Sequence, residues 1–435
     1  MKRFFQYINR EVLVKAAGLS TANITIKIIS GIVISKFIAL FIGPEGMALI
    51  GNLRNFFSTI QSLAIGGLYK GVVKFINEAK TNVLELSKTL STVFYSGFFI
   101  SVLLAFLCYY NAGFINSLIF LNNNYTYVIE VLAMVLPFYA LNMFVFAIMN
   151  GFSKYKILLI INIIGQIVGL LITILLIKQE NIDGALIAVI ITPAINLLIS
   201  VVGVAFRKNL MHHIKVTSIN LSVLKNLSPY MIMALVSSIA LPIVFIIIRN
   251  YIISEIGIKE AGYWTAITRV SDYYLMFVNA LMALYILPRF TEINSRKEFR
   301  QEVFSFYKTI MPVFAILLGI IYLSRSLLVT LLFTEEFRPI EDLFAYQILG
   351  DFMRVLSMVI AYKFLANKMF IHFIILEVFL FVIMYISSIY FIDIFGLEGA
   401  VMGHCLSYFM HFGITLLIFG SSLFGVINED DTDTF

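Results

Sequence analysis

The 435 residues are 60% hydrophobic and 13% charged, against globular norms of roughly 45–50% and about 25%, which excludes an ordinary soluble domain and indicates an all-α polytopic membrane protein. The net charge of +6 does not mark a nucleic-acid binder. Lys and Arg collect in short loops between apolar runs, the pattern that orients a membrane protein.

In chain order, residues 1–12 have a basic start without the short apolar core and cleavage site of a removable signal peptide. They are expected to be a cytoplasmic lead-in. Apolar runs of about 20 residues between polar breaks then predict twelve helices, at 13–41, 47–73, 90–110, 127–149, 157–177, 184–206, 229–252, 261–287, 310–332, 343–365, 372–394 and 400–424. One alternate set of loops holds most of the Lys and Arg, including Lys74, Lys154, Lys156, Arg207, Lys208, Arg289 and Arg296. The other set holds Glu45, Glu180, Asp183, Glu335, Glu336 and Glu398 with few basic residues. Both termini are therefore expected in the cytoplasm. The tail at 425–435 is acidic and reads as a solvated end.

A repeat divides the chain into a six-helix lobe at 1–210, a cytoplasmic connecting loop at 211–228 and a second six-helix lobe at 229–424. At a constant offset of 215 it pairs Arg54 with Arg269, Lys74-Phe75 with Arg289-Phe290, Asn162 with Glu377, and IDGA at Ile182–Ala185 with LEGA at Leu397–Ala400. Two lobes running in the same direction imply a cleft between them. In-helix Pro137, Pro193, Pro242 and Pro312, with Gly43-Pro44 and Gly66-Gly67, are places where helices can kink.

Charges inside these spans are the strongest functional signal, because each costs roughly 2.5–3.5 kcal/mol on an insertion scale when it faces lipid. They are Lys27, Arg54, Arg249, Arg269, Asp272, Arg325, Asp351, Arg354 and Glu377. Arg269/Asp272 and Asp351/Arg354 are spaced i,i+3, so a purely structural pairing is one reading of them. Lys27, Arg54 and Arg249 have no acidic residue within a turn of their own helix in the sequence, for which a water-filled cavity is the economical reading. Its basic lining attracts an anion, and guanidinium forks suit phosphate. Asp351 and Glu377 are candidate proton carriers, since burial and a nearby Arg act on a carboxyl in opposite directions. Tyr69, Trp264, Tyr273, Tyr274 and Tyr285 pack, mark the interface or stack on sugar rings.

No P-loop, HExxH or GxSxG motif occurs, so turnover uses a gradient or simple equilibration and no enzyme activity or cofactor is expected. Cys108 and Cys405 read as buried small hydrophobes. His212, His213, His404 and His411 have no ligand-like companions in sequence, and packing or solvated roles are favoured over metal.

The stretches SKFIALFIGPEGMALIGNLRNFFSTI, LYKGVVKFI, LPIVFIIIRNYI, GYWTAITRVSDYYLMF with YILPRF, and EDLFAYQILGDFMRV resemble Wzx-type flippases. The resemblance is to the branch handling enterobacterial common antigen lipid III and some O-antigen units, within the multidrug/oligosaccharidyl-lipid/polysaccharide exporter superfamily. It extends through nearly all the chain. It implies twelve helices in two lobes around a cationic cavity, and movement of undecaprenyl-pyrophosphate-linked oligosaccharide to the outer leaflet of a bacterial inner membrane. Matching positions are Lys27, Arg54, Lys74, Arg249, Asp272, Asp351 and Glu377. Arg269 stands where the family pattern has a small polar residue, so its role is not carried over. The expected assignment is substrate binding by Lys27, Arg54, Arg249 and Arg269, and charge balance or proton coupling by Asp272, Asp351 and Glu377. Lys74, Arg325 and Arg354 are secondary candidates. Expected partners are the lipid-linked oligosaccharide, membrane lipids, and the polysaccharide polymerase and chain-length machinery. The rivals are a proton- or sodium-coupled small-molecule exporter and a membrane polysaccharide polymerase, the latter disfavoured by short external loops.

Overall fold

The computed structural model describes residues 11–65, 69, 72–73, 75–76, 82–205, 214–293, 295–367 and 369–425. Lys74, the lead-in at 1–10, Gly66-Gly67, Arg207-Lys208, His212-His213 and the tail at 426–435 lie outside the described residues. The helices are α1 (Glu11–Phe41), α2 (Gly43–Ile65), α3 (Val83–Tyr110), α4 (Ala112–Phe120), α5 (Thr126–Gly151), α6 (Tyr155–Ala205) and α7 (Leu221–Glu255). They continue as α8 (Ile258–Leu281), α9 (Leu287–Glu292), α10 (Arg296–Leu323), α11 (Arg325–Leu332), α12 (Phe344–Ala366), α13 (Phe370–Phe395) and α14 (Leu397–Phe424).

Among the described residues, 10 stretches are long and apolar enough to cross a membrane. One of them, Tyr155–Gly203, has 49 residues, far more than the roughly 20 that one crossing needs. It is broken at Asn181, whose backbone is not helical. The α2 helix, carrying Glu45 and Arg54, is not among the 10.

The helix ends explain where hydropathy alone misplaces boundaries. Asn82 accepts hydrogen bonds from the backbone N–H of Leu84 and Glu85, so α3 starts at Val83 rather than at 90. Ser295 caps α10 through the N–H of Glu298, so that helix starts at Arg296 rather than 310. Both are Ser/Asn-x-x-Glu capping signatures, polar turns that an apolar-run count skips. The expected single span 310–332 is corrected: α10 stops at Leu323, Ser324 leaves the helical backbone, and Arg325 opens the short α11. Arg325 donates to the Tyr322 carbonyl at 3.1 Å and lies 4.6 Å over the Tyr322 ring, which satisfies the end of α10. Between α8 and α9, the π-helical stretch Met282–Ile286 accommodates Pro288, which cannot donate to the preceding turn.

By internal contacts the chain divides into one unit of Met1–Ile42 with Asn52–Pro242 and another of Gly43–Gly51 with Ile243–Phe435. The first nine residues of α2 thus belong with the second unit. In the first unit, the segment before α7 is held by α3: Ser91 Oγ accepts from Lys215 N and Thr92 Oγ1 from Asn220 N, both at 2.9 Å.

The expected repeat is visible in local backbone. Asn111, between α3 and α4, has φ −107 and ψ 20, and Ser324, between α10 and α11, has φ −96 and ψ 14. Asn181 has φ 50 and ψ −118, while Gly396, 215 positions later, has φ 61 and ψ −137. Three residues beyond each, Gly184 and Gly399 face a backbone carbonyl, Leu176 O and Phe391 O, that an added Cβ would approach to 2.0 and 2.1 Å. Each unit therefore turns the chain by the same device, at Asn181 and at Gly396. Positive φ is natural for glycine and costs another residue about 1–3 kcal/mol. Gly396→Val is expected to lower the unfolding midpoint of the purified protein in detergent, whereas Asn181→Gly leaves it unchanged or raises it. Thermal unfolding followed by intrinsic fluorescence checks both.

Candidate functional site

The α8 helix carries chemistry on two sides. Thr265 and Arg269 are four residues apart and share one face, while Ser271 and Tyr274 lie on the other, because two residues turn a helix through about 200°. Gly262 permits this placement: a Cβ there would come within 1.9 Å of Pro44 O, so only hydrogen fits where α8 meets the start of α2.

On the first face, Arg249 from α7 is 2% exposed. Its Nε donates to Thr265 Oγ1 at 2.8 Å, and its guanidinium lies 5.2 Å over the Trp264 ring. Gly51 leaves the space for it, since a Cβ there would meet Thr265 Cγ2 at 2.7 Å and Arg249 Cζ at 3.0 Å. Arg269, 7% exposed, points Nη1 at Met47 Sδ across 3.5 Å. The two guanidiniums are near enough to interact electrostatically. The sequence favoured a water-filled cavity for Arg249; in this conformation protein surrounds it, with a hydroxyl and an indole face in place of water.

On the second face the acidic candidates gather around Arg354. Asp351 is fully buried at 0% exposure. Its Oδ2 accepts from Ser271 Oγ at 2.5 Å, from the Tyr274 hydroxyl and from Gln347 Nε2 at 3.2 Å. Its Oδ1 lies 3.1 Å from His404 Nε2 on α14. Half-buried Arg354, one turn along α12, stacks 5.4 Å over the Tyr408 ring. Asp351 and Asp272 lie within its electrostatic reach, as does half-buried Glu377 on α13. The i,i+3 spacing of Asp351 and Arg354 therefore puts both in one cluster, but the direct partner of Asp351 is a histidine. Gly350 makes that contact possible, because an added Cβ would lie 2.5 Å from His404 Cδ2 and 3.0 Å from Cys405 Cα.

Among the other candidates, Asp272 acts electrostatically on both Arg269 and Arg354. Lys27 is exposed on α1, Arg54 is half-buried in the first-unit part of α2, and half-buried Arg325 closes the end of α10. Asp272 is exposed on α8, and Lys74 lies outside the described residues.

Sequence reasoning missed three features. His404 has a carboxylate companion, contrary to the expectation, because Asp351 lies 53 positions away on another helix. Thr265 and Gln347 carry no charge to draw attention. Lys363 on α12 is fully buried, donates to the Ile293 carbonyl at 3.0 Å and lies 5.5 Å over Phe299; a lysine within a span was the signal available for it.

The fold is shared with transporters of known structure. An inward-facing multidrug MATE transporter of the MOP superfamily aligns with a TM-score of 0.72 at 14% identity, over 92% of this chain and 95% of that one. The lipid II flippase MurJ, in an inward closed conformation, aligns with a TM-score of 0.69 at 15% identity, over 94% and 87%. A family model described as polysaccharide biosynthesis protein matches residues 37–342, and the chain belongs to that family. The lipid III flippases of Escherichia coli K12 and Shigella flexneri are each 26% identical to it over 407 residues, 94% of this chain and 98% of theirs. The resemblance to Wzx-type flippases is thus borne out.

Gly350→Ala is expected to force α12 and α14 apart at Asp351 and His404, an overpacking cost of about 1–3 kcal/mol. Gly413→Ala, with nothing within 4 Å of the added carbon, serves as the neutral comparison. Unfolding midpoints of the two variants in detergent check this.

Proposed function

We propose that this protein is a flippase that carries undecaprenyl-pyrophosphate-linked oligosaccharide from the cytoplasmic to the periplasmic leaflet of a bacterial inner membrane by alternating access. The observation that carries the reading is the pair of neighbouring guanidiniums, Arg249 and Arg269, in a chain similar over nearly its whole length to lipid III flippases. Two forked donors side by side match the two phosphates of a pyrophosphate, and a partly desolvated site strengthens each contact. Lys27 and Arg54 add positive charge from the first unit. Asp272, Asp351 and Glu377, gathered around Arg354, serve charge balance or proton coupling. The prenyl tail stays in lipid, as the energetics of about 0.8 kcal/mol per buried CH₂ dictate.

In this reading the chain crosses the membrane twelve times, counting α2 as one span and α6 as two, with both termini cytoplasmic. The lobes are 1–210 and 229–424, joined by 211–228 and followed by the tail at 425–435. The protein transports rather than catalyses, and its product passes to a polymerase and chain-length machinery. Small-molecule export on the same fold remains the rival, and predicts altered drug efflux with unchanged surface polysaccharide.

The test is deletion in the native bacterium, in a strain without a redundant flippase, followed by complementation. Loss of surface polysaccharide with accumulated lipid-linked oligosaccharide is expected, and wild-type polysaccharide without accumulation overturns the reading. Arg249→Glu and Arg269→Glu are each expected to reduce outer-leaflet delivery by about 100-fold or more at equal membrane abundance, as reversing a buried partner of an anion costs several kcal/mol. Extraction and quantification of the lipid-linked intermediate measures this.

A further inference from the structure

We propose that His404 is the group that takes up and releases the coupling proton, with Asp351 as its fixed counter-anion. The inference rests on the transport reading above and names the residue that links transport to an ion.

The geometry assigns the roles. Three donors converge on Asp351 Oδ2, namely Ser271 Oγ, the Tyr274 hydroxyl and Gln347 Nε2. The other oxygen, Oδ1, meets His404 Nε2 at 3.1 Å, and Gln347 Nε2 lies 3.3 Å from the same ring nitrogen; the tautomer that carries a proton on Nε2 donates it to the carboxylate. The pair then changes charge at the second ring nitrogen. With His404 protonated on both nitrogens the imidazolium neutralises the carboxylate; with Nδ1 bare the pair is a net anion. Histidine is the side chain suited to such a change near neutral pH. Gly350 is the close approach on which the contact depends.

The fold does not need this cluster. At the repeat offset of 215, the first unit places Leu132, Leu136 and Val189 where the second has Gln347, Asp351 and His404. Leu132 and Leu136 are fully buried, so the same helix packing is achieved there with apolar side chains. A buried carboxylate is retained in the second unit against its desolvation cost, which points to function rather than folding.

Several other groups face the pair. From α12 comes Arg354, and from α8 come Tyr274 and Asp272. Glu377 on α13 acts on Arg354 and Tyr408, and α10 contributes Phe314 against Tyr274. On α14 itself, Cys405 adjoins, the Tyr408 ring is 4.9 Å from His404, and His411 lies 6.3 Å beyond Tyr408. His411 is 4% exposed, and neither of its ring nitrogens has a hydrogen-bond partner. It lacks the carboxylate contact and is the internal control.

The experiment uses full-length protein in phosphatidylethanolamine–phosphatidylglycerol vesicles, with a short-prenyl pyrophosphate carrying labelled N-acetylglucosamine as the probe. Infrared difference spectra between about pH 5 and 8 are expected to show a histidine signal lost in His404→Gln and kept in His411→Gln. A proton gradient is expected to accelerate probe transport about tenfold in wild type and His411→Gln, an ordinary coupling free energy, and not in His404→Gln. Persistence of the titrating signal or of the gradient effect in His404→Gln overturns the proposal, as does acceleration by sodium in place of protons. If His404→Gln fails to fold, His404→Asn and Asp351→Asn take its place, and retention of the gradient effect in either is equally decisive. Absence of probe transport in wild type counts against the flippase reading itself, while the infrared result still decides whether His404 titrates.

Discussion

An ionised side chain in the hydrocarbon layer has to be answered by protein, and that constraint organises the second unit. The α8 helix answers it on two faces, giving Thr265 to Arg249 and Ser271 and Tyr274 to Asp351. The α8 helix thereby gives hydroxyl partners to a cation on one face and to a carboxylate on the other, while its own Asp272 acts electrostatically on both Arg269 and Arg354. The same helix keeps two guanidiniums, Arg249 and Arg269, near each other, a costly arrangement that an anion between them would relieve. It also keeps the acids around a single arginine, Arg354, in reach of one another.

Duplication explains much of the architecture and sharpens what is specific. The two units share capping residues at Asn82 and Ser295, helix breaks at Asn111 and Ser324, and positive-φ turns at Asn181 and Gly396. These are backbone solutions, and they persist because helix ends and reversals must satisfy the same hydrogen-bonding groups in each copy. Side chains in the packed interior have diverged. Polar residues fill the space between α8, α12 and α14, whereas Leu132, Leu136 and Val189 stand at the positions equivalent to Gln347, Asp351 and His404 in the first unit. One copy of the repeat thus serves as a natural comparison for the other, and marks the Asp351–His404 contact as an addition to the scaffold.

The relatives place this chemistry in context. The chain belongs to the polysaccharide biosynthesis protein family and has the fold of multidrug and lipid-linked exporters. That fold accepts many cargoes, so cargo has to be argued from the residues inside it. A paired-guanidinium cluster suits a pyrophosphate better than it suits a cationic drug.

Much of the fold was legible in the sequence, since apolar runs report membrane burial directly and the 215-residue offset reports duplication. Boundaries were less legible, because the caps at Asn82 and Ser295 and the break at Ser324 are polar features within turns that hydropathy averages away. For the site, single-residue cost identified the charged candidates. Their grouping was not available, because contact between α8, α12 and α14 depends on where small residues such as Gly350 and Gly262 let helices approach. Sequence by itself determined a helical, duplicated membrane protein with charges too expensive to face lipid. Only the tertiary structure decided that Arg249 joins Arg269 and that Asp351 meets His404, because partners on different helices are selected by packing geometry and not by spacing along the chain.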